Sequence, residues 1–409
     1  MRTPWKRRLP WCGGWLAASV WAGVFPLTAA PEPHRVWGAC ASAGYLCAAV
    51  AALWRRGRGP SVALALAGAV AVPLLVLLVS GGAQSEVDVV ERAGVLTVRQ
   101  VTPYLADPRA VTEVTPYLPG MAVFGLPRAV LGDPGPLPRL LGDARLWCAA
   151  AFLGCLRVAW RRAGRGPGDP GTAGRDAVGA LLASPVVALP LCVSGVDLPL
   201  TGLLFLALVY AARRRPVAAG LALAAACSLK WTAWPAVAVA AALLAHRDGI
   251  RAAARGAAVA VAGTALLVLP SALLSPRALV EQVFAFPTGR GPWPTPAASP
   301  LPGRLLADLG PAGWCAAVAL LLAGGLAVAV SLVVRPPRDL VSAADRLAAG
   351  LCTAFLLAPA GRFGYLALPV LLAVAARLPH GVRRAGSARG AAVRAPRPRR
   401  PVPAARGPR

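Results

Sequence analysis

The sequence has little charge, and very little of it is negative. Only 14% of its 409 residues are charged, with 16 Asp and Glu against 43 Lys and Arg. A soluble chain carries about 25% charged and about 45–50% apolar residues, whereas here the hydrophobic share is 57% and the mean hydropathy +0.61. That shortage excludes a wholly water-exposed fold and calls for a bilayer as part of the solvent. Histidine is rarer still. His34, His246 and His380 read as loop residues far apart in the chain, and none of the nine Cys forms a C-x-x-C pair. A protein-built transition-metal centre and a redox dithiol are thereby excluded. Cys40/Cys47 and Cys148/Cys155 recur at helical spacing and read as core packing. No Gly-rich cradle stands between a strand and a helix, which argues against direct use of ATP or a nucleotide sugar. The net charge of +27 falls in short Arg clusters between apolar blocks and not along one face. It therefore points to membrane topology, with no nucleic acid as partner.

What the chain does have is apolar length. Runs bounded by Arg clusters and Pro/Gly breaks predict about twelve transmembrane helices. They fall near 11–30, 36–54, 61–81, 144–160, 177–193, 198–212, 216–230, 232–246, 254–274, 311–334, 342–359 and 362–378. The fold class is an all-α polytopic integral membrane protein of the cell membrane. With the N-terminus inside, loops 1–10, 55–60, 161–176, 213–215, 247–253 and 335–341 and the tail collect most of the basic residues, as cytoplasmic loops should. Both termini are then cytoplasmic. Arg2 to Ala30 also fits a secretory signal peptide. It is kept as a first span because its removal would put the 55–60 Arg cluster outside unless another span were lost. Residues 1–60 form an N-terminal hairpin and 61–378 the main membrane domain. The Arg-, Pro- and Gly-rich 379–409 read as a disordered tail able to touch anionic membrane lipids.

Two outer segments are too long for mere connections, 82–143 and 275–310. The first concentrates the scarce carboxylates: Glu86, Asp88, Glu91, Asp107, Glu113, Asp133 and Asp143. Ser85 to Arg92 begins where the third span ends, so its carboxylates meet the headgroup region. Val89 to Val101 has the spacing of a helix lying in the interface. Thr102-Pro103-Tyr104-Leu105 and Thr115-Pro116-Tyr117-Leu118-Pro119-Gly120 follow, each offering a ring and a hydroxyl to a sugar face or to the interface. The second segment, with Phe284 to Pro294, is aromatic and Pro-rich and reads as a lid or as a surface loop.

An acidic span end, an interfacial helix, T-P-Y-L and then T-P-Y-L-P-G before an apolar run resembles the first extracytoplasmic loop of glycosyltransferase family 87. Ser194 to Leu200 and Ser228-Leu229-Lys230-Trp231-Thr232-Ala233-Trp234-Pro235 agree. The resemblance implies a GT-C fold and a polyprenyl-phosphate sugar donor, usually of mannose, with a lipid or glycan acceptor and no cofactor. It departs in three places. An extra hairpin precedes the acidic loop, Gly195-Val196-Asp197 replaces a Gly-Gln before Asn, and Glu91 stands near the usual place of a Tyr.

The chemistry implied needs one general base for the acceptor hydroxyl and cations for the leaving phosphate. Asp88 is the expected base, also by the resemblance, with Glu86 and Glu91 as substitutes; the other reading is a solvated acidic loop or helix N-terminal charge. Lys230 is one of only two lysines. It reads equally as a phosphate ligand or as a cation snorkelling to the headgroups beside the Trp231 and Trp234 belt. Arg362 at the mouth of the last hairpin reads as a phosphate ligand or an interface anchor, and Asp197 as a sugar contact or a partner for Lys230. Tyr104, Tyr117 and Trp231 complete the expected substrate-binding set. A transporter or flippase is the rival class, favoured by an inverted repeat and midplane charges; neither is visible. A catalytically silent membrane protein of the same fold is the third reading.

Overall fold

The computed structural model describes residues 8–54, 58–163 and 171–378. The expected tail, 379–409, lies outside them. The described residues are helical, without strands beyond one bridge between Ala298 and Gly361. The principal helices are α1 (Leu9–Thr28), α2 (Glu32–Ala52), α3 (Arg58–Ser80), α4 (Ser85–Gln100), α5 (Pro119–Leu131), α6 (Ala144–Ala163), α7 (Gly171–Ala183), α8 (Pro185–Val193), α9 (Leu198–Ala212), α10 (Pro216–Leu229), α11 (Pro235–Asp248), α12 (Ile250–Leu274), α13 (Pro311–Val334), α14 (Leu340–Leu357) and α15 (Phe363–Leu378), and shorter helical pieces lie within the two long segments.

A helix lies over each expected range, within a few residues. Among the described residues four of them, α3, α12, α13 and α14, are long and apolar enough to cross a membrane alone. The expected span 177–193 is instead a bent pair: α7 and α8 meet at 55°. Pro185 explains the break, because its ring disfavours helical geometry at Ser184 and it has no N–H to continue the ladder. Counted as one span, the pair makes five. The helices α5, α9, α10 and α15 are apolar but shorter. His34 and His246 also differ from the loop reading, lying in the first turn of α2 and the last turn of α11.

Helix α9 is the centre of the bundle. It is buried around its whole circumference, from Leu198 through Leu204 and Phe205 to Ala211, as an all-round apolar helix must be. It packs against α6, α10, α11 and α14. Helices α12 and α13 lie at the periphery and expose Leu266, Leu273, Leu322 and Val333, the surface lipid would cover.

Helix α3 shows how this sequence meets the rule that no backbone polar group goes unpaired in an apolar medium. It contains a π-helical stretch, Ala67–Ala71, just before Pro73. Proline lacks the N–H that would bond the carbonyl four residues earlier, that of Ala69. The buried indole of Trp37 donates to this carbonyl at 2.9 Å, and Cys192 Sγ approaches it at 3.5 Å. The N-terminal hairpin is thus joined to the main domain through a proline-made vacancy. Tyr45 adds a second link, donating its hydroxyl to the Ala183 carbonyl at 2.5 Å.

The two ends of the bundle differ in chemistry. At one end Arg8 bonds the Leu53 carbonyl, Arg213 the Ala163 carbonyl and Arg247 the Arg338 carbonyl, and Arg214 pairs with Asp248. At the other end the long segments 82–143 and 275–310 meet the short turns at 194–197, 230–234 and 358–362. Helix α4 packs on α5 there through Gly94 and Gly125. A Cβ on Gly125 would fall 2.0 Å from the Val90 carbonyl oxygen, so only hydrogen fits.

The Trp37 bond makes a double-mutant prediction. Trp37→Phe should destabilise the protein by about 1 kcal/mol or more, because it leaves the buried Ala69 carbonyl with only the weak Cys192 thiol as donor. In a Pro73→Ala background the restored N–H supplies a partner, so the same substitution should cost clearly less. Thermal unfolding of the detergent-solubilised variants measures both.

Candidate active site

Arg145 organises the site end of the bundle. Its side chain is 1% exposed at the start of α6. The guanidinium holds Asp143 through Nε at 2.9 Å and Nη2 at 2.7 Å, and donates from Nη1 to the carbonyls of Gly82 at 2.8 Å and Cys192 at 3.0 Å. One cation therefore joins the approach to α4, the end of α8 and the start of α6. Gln84 N–H adds a bond to the Val193 carbonyl at 2.9 Å. Together these fix the first turn of α4, which carries Glu86, beside the turn that carries Asp197.

Glu86 pairs with Arg362 Nη1 through Oε1. Its other oxygen, Oε2, is buried and has no hydrogen-bond partner among the described residues. Arg362 is set by the Ala298–Gly361 bridge, in which Ser299 N–H donates to the Gly361 carbonyl at 3.0 Å and Gly361 N–H to the Ala297 carbonyl at 2.9 Å. The second long segment thereby positions a cation against a carboxylate of the first.

Lys230 follows the last residue of α10, where a 3₁₀ turn, Trp231–Ala233, separates it from α11. Its ammonium contacts Asp197 Oδ1 at 2.6 Å and lies 5.4 Å and 5.0 Å from the ring centroids of Tyr117 and Tyr365. Burial alone would lower its pKa; Asp197 first, then Tyr365 and Glu86, outweigh this and hold it above the ordinary amine range. For Arg362 burial likewise acts downward and Glu86 chiefly reverses it. Both cations stay charged. Tyr117 lies under them, with its hydroxyl pKa pushed well up, mainly by burial.

The structure thus brings together Glu86, Arg362, Lys230, Asp197 and Tyr117, and it separates the other expected residues from them. Asp88 is exposed on another face of α4, and its charged neighbours are Arg92, Arg145, Asp143 and Arg128. Two residues along a helix turn the side chain through about 200°, so Asp88 and Glu86 cannot share a surface. Glu91 is already engaged. Its carboxylate accepts from Arg128 Nε at 2.7 Å and from the Ala144 N–H, at the start of α6, at 3.0 Å. It caps a helix and does not face the pair. Tyr104 is 1% exposed and donates its hydroxyl to the Tyr117 carbonyl at 3.0 Å, so it props Tyr117 from behind and offers no face to a sugar. Trp231 is exposed and tilts against Phe284 of the second long segment at 6.4 Å between ring centroids.

Three residues at this end carry little signal in the sequence. Arg145 looks like any topological arginine, although it is one of few at that end. Tyr365 stands out only as a neighbour of Arg362. His34 reads as isolated, yet Glu86 and Arg362 both act electrostatically on it, and its buried Nδ1 has no partner among the described residues. Its ring stacks on Phe25 at 6.1 Å. Helix α2 of the N-terminal hairpin therefore lies within electrostatic range of the pair. No group of three or more His, Cys, Asp or Glu fit to hold a metal occurs among the described residues.

A family model described as glycosyltransferase family 87 matches residues 115–359, more than half of the chain. The protein belongs to glycosyltransferase family 87. It is accordingly a membrane glycosyltransferase, acting on a sugar donor and an acceptor. No curated protein and no solved structure matches the chain. The stretch matched to family 87 includes Tyr117, Asp197, Lys230 and Trp231; Glu86 and Arg362 flank it. The ion pair thus joins the two sides of the matched stretch.

Arg145→Ala should be among the most damaging substitutions in this enzyme. It leaves Asp143 buried without its cation and two carbonyls without donors, a loss of about 3–5 kcal/mol for breaking a buried pair. Size-exclusion profiles and melting temperatures of the solubilised variant should show it, with Arg277→Ala, at an exposed position, close to wild type.

Proposed function

We propose that the enzyme transfers a hexose, most simply mannose, from a polyprenyl-phosphate carrier to a lipid or glycan acceptor at the extracytoplasmic face. The observation that carries this reading is the meeting at a single end of the bundle of two cations and two carboxylates, one of which has a buried oxygen without a hydrogen-bond partner among the described residues. That end is opposite the Arg-bearing loops, which supports its placement outside by the rule that cytoplasmic loops hold the positive charge.

Each group then has a task. The donor phosphate takes hydrogen bonds from Arg362 and Lys230. Lys230 has three donors, and among the described residues Asp197 is its one hydrogen-bonding partner. As phosphate engages Arg362, Glu86 shares its cation with a second anion and becomes a stronger base. The acceptor oxygen attacks the anomeric carbon, the bond from that carbon to the phosphate oxygen breaks, and the acceptor proton passes to Glu86 Oε2. The phosphate leaves as an anion held by the two cations and needs no protonation. A single displacement of this kind inverts the anomeric centre. The base is assigned to Glu86 and not to Asp88, because of these two Glu86 alone stands beside the cations that would hold the leaving group.

An assay with labelled polyprenyl-phosphate-mannose and membrane lipid acceptors tests the assignment. Glu86→Gln should lower kcat by about 100-fold or more, the scale of a lost general base, while Asp88→Asn stays near wild type. The reverse order would return the role to Asp88. Lys230→Met should lower kcat/KM for the donor by about 10-fold to 100-fold, the scale of one charge-assisted bond. Counterflow of the carrier without transfer would instead establish a transporter.

A further inference from the structure

A cleft lies between the two long outer segments, and neither Glu86 nor Arg362 lines it. Its volume is about 290 Å³, close to the low end of the about 300–1,000 Å³ range of small-molecule sites. Asp107 stands on one wall, Arg277 and Glu281 on another, and Phe286 and Trp293 close the side. The floor is rigid. Gln282 is 3% exposed, accepts the Thr115 N–H at 2.9 Å and donates to the Leu105 carbonyl at 2.7 Å. Both polar ends of its amide are used to clamp one segment to the other, so the cleft exists before any ligand arrives.

The lining selects a chemistry. Two carboxylates against one guanidinium give an excess negative charge, and Arg277 is already engaged by Glu281 at 2.8 Å. A phosphate or an anionic headgroup would be repelled. Carboxylates with free lone pairs accept from hydroxyl groups, and an indole beside them offers a flat apolar face to ring C–H groups. We propose that this cleft is a carbohydrate subsite that binds an uncharged sugar unit. Its role as the place for the non-reacting part of a glycan acceptor rests on the transferase reading above; binding itself does not. The cleft also has a path to the catalytic end. Phe284, two residues before Phe286, meets Trp231, the neighbour of Lys230, so an occupied cleft would hold the second segment over the donor site.

The test uses the full chain in detergent micelles and mannobiose as probe, read by ligand-observed saturation-transfer NMR, with inorganic phosphate as competitor. Mannobiose should bind with a dissociation constant in the millimolar range or tighter. Trp293→Ala should weaken it about tenfold, while Trp293→Tyr, which keeps a ring, should retain most of it. Glu86→Gln should leave binding unchanged, which separates this site from the catalytic one. The proposal is overturned by no binding to the wild type, by equal binding to Trp293→Ala, or by displacement with phosphate. Failure of the transferase reading would appear elsewhere, as absent hexose transfer by a wild-type protein that still binds the disaccharide.

Discussion

A buried guanidinium governs the geometry of this enzyme. Arg145 can lie in the interior only if its charge and most of its hydrogen-bond donors find partners, because a cation removed from water without partners is far too costly. Asp143 and the carbonyls of Gly82 and Cys192 take four of its five N–H donors. They belong to three different parts of the chain, so the requirement of one side chain becomes a fixed junction of three helix ends. Glu86 lies a few residues beyond one of these acceptors and Asp197 a few beyond another. Their placement depends on the junction more than on any contact of their own.

The charges that surround the proposed chemistry obey the same rule. Each cation is held by a carboxylate from a distant part of the sequence: Arg362 by Glu86, and Lys230 by Asp197. In a partly dehydrated environment such pairs exchange partners more readily than they separate, since any separated charge must be solvated anew. In the proposed reaction an incoming phosphate would replace a carboxylate beside a cation at small net cost, and the displaced carboxylate would serve as the base. The arrangement gives a reason for an enzyme so poor in carboxylates to concentrate them at one end.

The helical ranges were legible because apolar length and Arg-bounded breaks are local properties. Pro311 begins α13 and Arg335 follows its end, both at sharp changes of composition. The bend at Ser184 was less legible, although Pro185 is its cause, because an apolar run reads as continuous whether or not its axis turns. Among the site residues, Lys230 and Arg362 stood out by their rarity on an otherwise neutral side. Choosing among Glu86, Asp88 and Glu91 was beyond the sequence. All three lie within two turns of one helix, and which of them faces a partner depends on the rotation of α4, set by Gly94 against Gly125 and by the Arg145 junction.

Composition and order along the chain are enough to place this protein in a membrane, to tell which loops hold its positive charge, and to show that its carboxylates gather in one long segment. It takes the folded chain to reveal that Glu86 meets Arg362 from 276 residues away, that Glu91 caps a helix, that Tyr104 is a prop, and that His34 of the first hairpin lies within electrostatic range of that pair. Such pairings arise because buried charges and orphaned backbone groups must find partners in space, and sequence distance places almost no limit on where those partners come from.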